Sequence, residues 1–445
     1  MIAYRYRTWG AYSTLESPKN LQYIEIMSFI SVLNARGLVQ DVSDPAIESK
    51  IAPDSGFYVG FDPTSPNLHI GNLIQAIVAI HIAKNSNLRP IILFGGSTGS
   101  IGDPSGRTQE RRLLDRETIE QNVASHINIL RSIFDRVGVT CEYVDNYSWT
   151  QPISVLDFLR DTGKHFTVNY MIAKEVVKTR LEGEGISFTE FSYMILQALD
   201  FKHLYQSHNC RLQFGGSDQW GNITAGLELI RRSLQGEAFA LSVPLCVDSE
   251  GRKFGKTAAG AVWINQEGLS PYEFHQYFLN VGDADVEKML KTFTFTPLDE
   301  IAEIIRRHQE SPEKRFAQLH LADRVTALVH GDDAVREANQ SRSVLFGGSI
   351  EGIDERSLLK IFSGVPSTEI AVSEFEPLTA VDLFVRSGLT PSKGEARRLI
   401  QSGGAYVNNE RVTDGTILAT TMRKAERSIF VLRSGKKNYH LIKVI

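Results

Sequence analysis

Apolar and polar positions along this chain follow two alternating periods. From about Met27 to Val247, short apolar runs that suit buried strands (Tyr58 to Phe61, Pro90 to Phe94, Thr140 to Val144 and Arg211 to Phe214) are interleaved with helical patterns. The clearest of these patterns is Leu73, Ile74, Ile77, Val78 and Ile80. Strands alternating with helices predict an α/β fold with a doubly wound parallel sheet. Two strands end in glycine pairs, Gly95-Gly96 and Gly215-Gly216, at the carboxyl ends where open α/β sheets bind ligands. From Ser270 to about Phe346 helical periodicity takes over: Tyr272 to Phe278, Ile301 to Arg307 and Phe316 to Val329. Gly347 to about Ser367 is less regular and reads as the approach to a linker. The last stretch, Ala380 to Ile445, opens on the apolar Val381, Leu383 and Phe384, continues into an amphipathic helix from Ser392 to Ile400, and turns at Gly403-Gly404 into a strand. The expected units are therefore a leader (1–26), an α/β domain (27–250), a loop with a helical domain (251–346), a linker (347–379) and a small terminal domain (380–445).

Length and composition fit this division. A chain of 445 residues is too long for one compact core, and its 42% hydrophobic and 22% charged fractions are ordinary for a globular protein. The net charge of −4 gives no hint of a polyanion partner, which would need local clusters of Lys and Arg. Cys141, Cys210 and Cys246 are widely spaced, arguing against a zinc site or a disulfide framework and for a reducing compartment. No run of about 18 apolar residues is present to span a membrane. Residues 1–26 carry Arg5, Arg7 and Lys19 against Glu16 and Glu25, a weak match to an organellar transit peptide, and their aromatic residues fit it badly. Alternatively Met27 is the functional start, because the helical pattern Phe29-Ile30-Val32-Leu33 begins just after it. A cytoplasmic location is expected, with the mitochondrial matrix as the alternative if 1–26 is a transit peptide.

Two segments carry candidate chemistry. Phe57 to Asn72 runs from an apolar strand through Asp62-Pro63-Thr64 and Ser65-Pro66-Asn67 into a helix opening on His69-Ile70-Gly71-Asn72. Unpaired amides and the positive dipole end at such a helix start favour anionic oxygens, Gly71 permits close approach, and His69 and Asn72 add two donors on one face. An incidental His at a helix start is the plainer reading of this segment alone. Far downstream, Lys253-Phe254-Gly255-Lys256-Thr257 places two lysines around a glycine, a mobile cationic clamp suited to charge building on a polyphosphate leaving group. Taken alone it would be an exposed lysine turn, and it misses the P-loop pattern because Glu250 stands where the first glycine belongs.

Paired in this order, the two segments resemble the signature motifs of class I aminoacyl-tRNA synthetases. Four further runs narrow the resemblance to the bacterial-type tyrosyl-tRNA synthetases: Tyr58 to Thr64, Gly102 to Arg107, Phe191 to Phe201 and Gly215 to Asn222. It extends from about Met27 to Ile445. Asn72 stands where the first signature usually ends in His, and Phe254-Gly255 where the second often has Met-Ser. The resemblance implies a Rossmann-like catalytic domain, a helical domain, and a C-terminal domain of the S-four RNA-binding type. It also implies ATP-dependent activation of L-tyrosine to tyrosyl-adenylate, transfer to the 3′ end of tRNA(Tyr), and a homodimer.

The resemblance further implies a division of labour among residues. Thr64, His69 and Asn72 face the ATP phosphates and ribose; Lys253, Lys256 and Thr257 close over the pyrophosphate, with Arg107 and Arg111 reaching toward it. Tyr58 and Asp200 read the phenol, while Asp103, Tyr193 and Gln197, with Gln219, hold the rest of the amino acid. Gly71, Gly215, Gly216, Asp218, Gln219 and Lys256 approach ATP, and the basic Lys393, Arg397 and Arg398 contact tRNA. Tyr193, Gln197 and Asp200 also follow i, i+4, i+7 spacing, one face of one helix. A carboxylate attacking the α-phosphorus of ATP is already a nucleophile, so a site rich in donors, without a proton-transfer base, suits this chemistry. No His, Cys and carboxylate cluster has metal-ligand spacing, so Mg²⁺ is expected to arrive with ATP. Two rivals are a tryptophan ligase, against which Tyr58 and Asp200 argue, and a purely structural RNA-binding protein, which would need no nucleotide clamp.

Overall fold

The computed structural model describes residues 28–105, 113–183, 185–257, 260–351, 353–362, 364–422, 428–435 and 438–445. The leader 1–26, together with Arg107 and Arg111, lies outside the described residues, as do the side chains of Lys256 and Thr257.

A six-stranded sheet organises the first half: β1 (Asp41–Val42), β2 (Gly56–Phe61), β3 (Arg89–Phe94), β4 (Glu142–Asp145), β5 (Cys210–Gly216) and β6 (Phe239–Val243). Their order is β1-β6-β5-β2-β3-β4. All neighbours are parallel except β1, which pairs with β6 antiparallel at the edge, so the expected parallel sheet carries one reversed edge strand. The helix Ile70–Lys84 buries ten of its residues; a helix apolar nearly all round belongs in an interior. The two longest described helices begin where short polar side chains cap them. Asp115 accepts from Thr118 N–H at 2.8 Å before Arg116–Arg136, and Ser187 accepts from Glu190 N–H at 3.2 Å before Phe188–Ser207.

A two-stranded ribbon, β7 (Lys256–Thr257) and β8 (Gly260–Ala261), precedes the helical region. There Ser270 and Glu273 close a capping box around Pro271–Leu279, followed by Val286–Phe293, Leu298–Glu310, Phe316–His330 and Asp332–Leu345. The first four of these helices share one continuous core with the sheet. Arg36, buried at the C-cap of the first helix (Phe29–Ala35), stitches the two regions by donating to the carbonyls of Lys291 (3.2 Å), Thr294 (2.9 Å) and Thr296 (2.7 Å).

The terminal sheet has the order β11-β10-β12-β13-β9, where β9 is Ser367–Ile370, β10 Ala405–Val407, β11 Glu410–Arg411, β12 Ile429–Ser434 and β13 Asn438–Val444. Its strands alternate cleanly. Phe430, Leu432, Ile442 and Val444 pack with the helices Ala380–Arg386 and Lys393–Gln401. Ile429, Val431 and Leu441 face Ile350, Ile353, Leu358 and Phe362 instead. The segment read as a linker over 347–379 therefore holds a helix (Glu355–Ile361) that covers the second face of this sheet, and a strand, β9, that pairs parallel with β13. Its apolar residues are too few and too unevenly spaced to register as a periodic element, yet a sheet with two apolar faces requires a cover on both sides.

Candidate active site

From β2 the chain winds outward through β3 to β4, then returns to β5 and winds the other way to β6. The strand order reverses between β2 and β5, and the crevice at their carboxyl ends is the expected ligand site of such a sheet. A cavity of about 580 Å³ opens there. Tyr58, Thr64, His69, Gly71, Asn72, Asp103, Tyr193, Gln197, Asp200, Gly215, Gly216, Asp218 and Gln219 all line it.

The deep end is built to hold a hydroxyl. Asp200 is buried, its Oδ1 accepting from Trp149 Nε1 and its Oδ2 from Asn146 Nδ2, each at 2.9 Å. Each carboxylate oxygen keeps a further lone pair. Burial pushes the Asp200 carboxyl up to about 7, with the Asn146 and Trp149 hydrogen bonds opposing it and the charges of Asp62 and Asp145 adding to it. Tyr58 is buried beside it on β2, and its hydroxyl has no partner among the described residues. Burial, then the Asp200 charge, hold that phenol well above its ordinary value, so it stays a neutral donor. A buried donor left unpaired costs about 1–3 kcal/mol, so its presence marks a place where a ligand completes the bonding.

A relay of hydrogen bonds joins this end to the middle of the cavity. Tyr193 Oη donates to Asp62 Oδ2 (2.8 Å), Thr98 Oγ1 donates to Asp62 Oδ1 (2.7 Å), and Asn146 Nδ2 donates to Thr98 Oγ1 (3.1 Å) as well as to Asp200. Nearby, Asp103 Oδ2 accepts from Gln219 Nε2 at 2.5 Å and its Oδ1 from Ser105 N–H at 2.9 Å. Burial, then the Asp103 charge, raise the Asp218 carboxyl, with Lys253 pulling it down. Carboxylates gathered in this way suit an ammonium group. Gln75, Gln197 and Gln213 also line the cavity, each with a side-chain carbonyl unpartnered among the described residues.

Sequence reasoning passed over Asp62, Thr98, Asn146, Trp149, Gln75 and Gln213. Asp145-Asn146 sits at the carboxyl end of β4, so the strand-end rule that drew notice to the glycine turns applied there too.

At the open end, His69 caps the helix Ile70–Lys84, and Asn72 Oδ1 accepts from His69 N–H at 3.0 Å to close a capping box. Asn72 thus commits its carbonyl to the helix and keeps only its amide to donate. Gly71, on the cavity wall, also makes room for a neighbouring side chain. A Cβ there would lie 2.8 Å from His69 Cε1 and 3.0 Å from Nδ1, so the glycine makes room for the imidazole. At Gly216 a Cβ would lie 2.5 Å from Asp218 Oδ1, and at Gly215 3.3 Å from Gln219 Cβ, so this pair lets Asp218 and Gln219 fold back over the strand end.

The second motif meets the first through main-chain bonds. Val262 N–H donates to Gly255 O (2.9 Å), Ile70 N–H to Val262 O (3.1 Å) and Ile264 N–H to Leu68 O (2.8 Å). Lys253 is exposed and does not line the cavity wall, though its charge reaches Asp218. In the terminal domain Lys393 pairs with Asp382 at 2.8 Å, and Arg397 and Arg398 are exposed, remote in sequence from the cavity.

Known proteins share this arrangement. The family described as "tRNA synthetases class I (W and Y)" matches residues 51–347, and the "Tyrosine--tRNA ligase SYY-like C-terminal domain" matches 357–442. The chain is 46% identical over 422 residues to the tyrosine–tRNA ligase of Geobacillus kaustophilus, covering 94% of this chain and 100% of that one. It is 44% identical over 429 residues to that of Bacteroides fragilis, covering 94% and 99%. Among solved structures, a C-terminally truncated mitochondrial tyrosyl-tRNA synthetase of Aspergillus nidulans superposes with a TM-score of 0.65 at 29% identity, over 72% of this chain and 94% of that one.

Proposed function

The chain belongs to the tyrosine–tRNA ligase family of class I tRNA synthetases, and from that membership we propose how its residues divide the reaction. L-tyrosine and ATP give tyrosyl-adenylate and pyrophosphate, and the tyrosyl group passes to the 3′ end of tRNA(Tyr). Tyr58 donates to the phenolic oxygen and Asp200 accepts its proton, so the substrate hydroxyl pairs both. Asp103, Tyr193, Gln197 and Gln219 hold the ammonium end. Thr64, His69 and the Asn72 amide face the phosphates and ribose, Gly215, Gly216 and Asp218 admit the nucleotide, and Lys253, Lys256 and Thr257 close over the departing pyrophosphate. The observation that carries the reading is the buried Tyr58 hydroxyl beside Asp200, unpartnered among the described residues. Phenylalanine would leave that donor unsatisfied, and a tryptophan ligase has no use for it.

Mg²⁺ enters with ATP, since among the described residues no group of three His, Cys, Asp or Glu side chains is disposed to hold a metal. The exposed Arg397 and Arg398, with Lys393, contact tRNA. A homodimer is supported by the exposed apolar side chains that concentrate between 155 and 188: Val155, Leu156, Leu159, Val168, Ile172, Leu181 and Phe188. The location is cytoplasmic, or the mitochondrial matrix if 1–26 is a transit peptide; no described helix is long and apolar enough to cross a membrane. ATP–pyrophosphate exchange with each amino acid, followed by charging of tRNA(Tyr), tests the reading. Exchange with tyrosine alone supports it; exchange with tryptophan or with none overturns it.

A further inference from the structure

Asp200 and His203 lie one turn apart on the helix Phe188–Ser207, and both engage Trp149. The indole donates through Nε1 to Asp200 Oδ1 at 2.9 Å. Its ring face lies against the His203 imidazole, with centroids 4.4 Å apart and planes only 11° from parallel. One helix face therefore grips the indole twice, at its N–H and across its plane. Trp149 stands on a single turn, Tyr147–Thr150, none of whose residues is fully buried. The indole borders a core cluster that includes Tyr58 and Phe201, the His203 ring lies against its face, and rotation of the indole would turn its N–H away from the carboxylate.

We propose that His203 is a positioning residue for amino-acid selection, stacking on Trp149 so that its N–H stays on Asp200 and aims that carboxylate at the substrate hydroxyl. This rests on the reading of Asp200 as the phenol acceptor. The stack works with a neutral ring. Burial, then the neighbouring His208 at 5.9 Å between centroids, disfavour the charged form of His203. His208 in turn is held by Glu142 at 2.8 Å.

The test is ATP–pyrophosphate exchange with tyrosine and with phenylalanine by the full-length protein and its variants. Because aligned aromatic pairs contribute modestly beyond their buried area, His203→Ala should raise the KM for tyrosine and lower the tyrosine-to-phenylalanine ratio about 2- to 10-fold. The KM for ATP should stay unchanged. His203→Phe, which keeps the flat ring, should restore both quantities, and His203→Ala should add nothing in a Trp149→Phe background. An unmoved ratio in His203→Ala, or a folded His203→Phe as impaired as the alanine variant, overturns the proposal. If His203→Ala does not fold, His203→Gln, polar and without a ring, carries the same comparison. Absence of tyrosine-dependent exchange in the unaltered protein would sink the parent reading; normal exchange with an unmoved ratio would remove only His203.

Discussion

Gly255 packs against Ile70: a Cβ on the glycine would stand 3.2 Å from Ile70 Cβ, and its φ of +89° lies where other residues are strained. Ile70 belongs to the first signature segment and Gly255 to the second, so this contact and the Val262 bonds bring a helix start and a lysine loop together although they are far apart in sequence. The Gly255 N–H also donates to Tyr277 Oη at 3.0 Å, tying the loop to the helical region. Gly255→Ala should cost more than about 1 kcal/mol of stability and slow adenylate formation, because the loop must leave Ile70 to accommodate it. Melting and pre-steady-state exchange on the same preparation check this; an unchanged rate would mean that the junction does not position the loop.

Lys253 is exposed, free to move onto charge that develops during the reaction. Lys253→Ala should slow adenylate formation while leaving tyrosine affinity near its original value. Equilibrium binding of tyrosine beside single-turnover rates separates the two. A fall in affinity matching the fall in rate would contradict the clamp.

Asp200 predicts a pH dependence of known sign. Burial pushes its carboxyl up to about 7, and the protonated form loses acceptor capacity for the phenol, so kcat/KM for tyrosine should fall as pH drops through about 7. Stability runs the other way. The folded value lies above the ordinary 3.8, so this group's contribution is full below 3.8 and is lost as pH rises through about 7. Compared with Asp200→Asn, the unaltered protein should therefore lose relative stability across that window and no more above it. Paired urea titrations at several pH values measure the difference.

The place where the chain is cut decides what truncation shows. Removal from Ala380 onward strips the sheet from Ile350, Ile353, Leu358 and Phe362, each worth about 1.5–3 kcal/mol when fully buried, and should give an aggregating protein. Removal from Gly347 onward takes the terminal core except Val344 and Leu345, and should leave tyrosine-dependent exchange largely intact while abolishing transfer to tRNA. Loss of both half-reactions in a folded protein would mean that the terminal domain supports the catalytic one.

Elements with a strong period were legible in the sequence. The strand runs near Tyr58, Pro90 and Arg211 became β2, β3 and β5, and the apolar stripe from Leu73 to Ile80 became a buried helix. The Tyr193, Gln197 and Asp200 spacing puts all three on the cavity wall. That Gly71 also makes room for the His69 ring was not legible, because a glycine at a helix start fits either a ligand or a neighbouring side chain. Trp149 was missed because its role is a contact with Asp200 across the fold, which no local pattern encodes, whereas Asn146 follows a strand end where the rule applied to the glycine turns would have found it. The 347–379 segment failed for a related reason, since it is apolar toward strands that come some sixty residues or more later.

Phenol recognition by Asp200 is the centre of the account, and the tyrosine-to-phenylalanine ratio of exchange rates tests it most directly. Removing a buried acceptor whose remaining lone pairs the phenol fills should reduce that ratio by a factor equivalent to about 1–3 kcal/mol in the Asp200→Ala protein, chiefly through loss of tyrosine activation. The same ratio in Asp200→Ala as in the unaltered protein, with folding confirmed, would contradict the pocket assigned here.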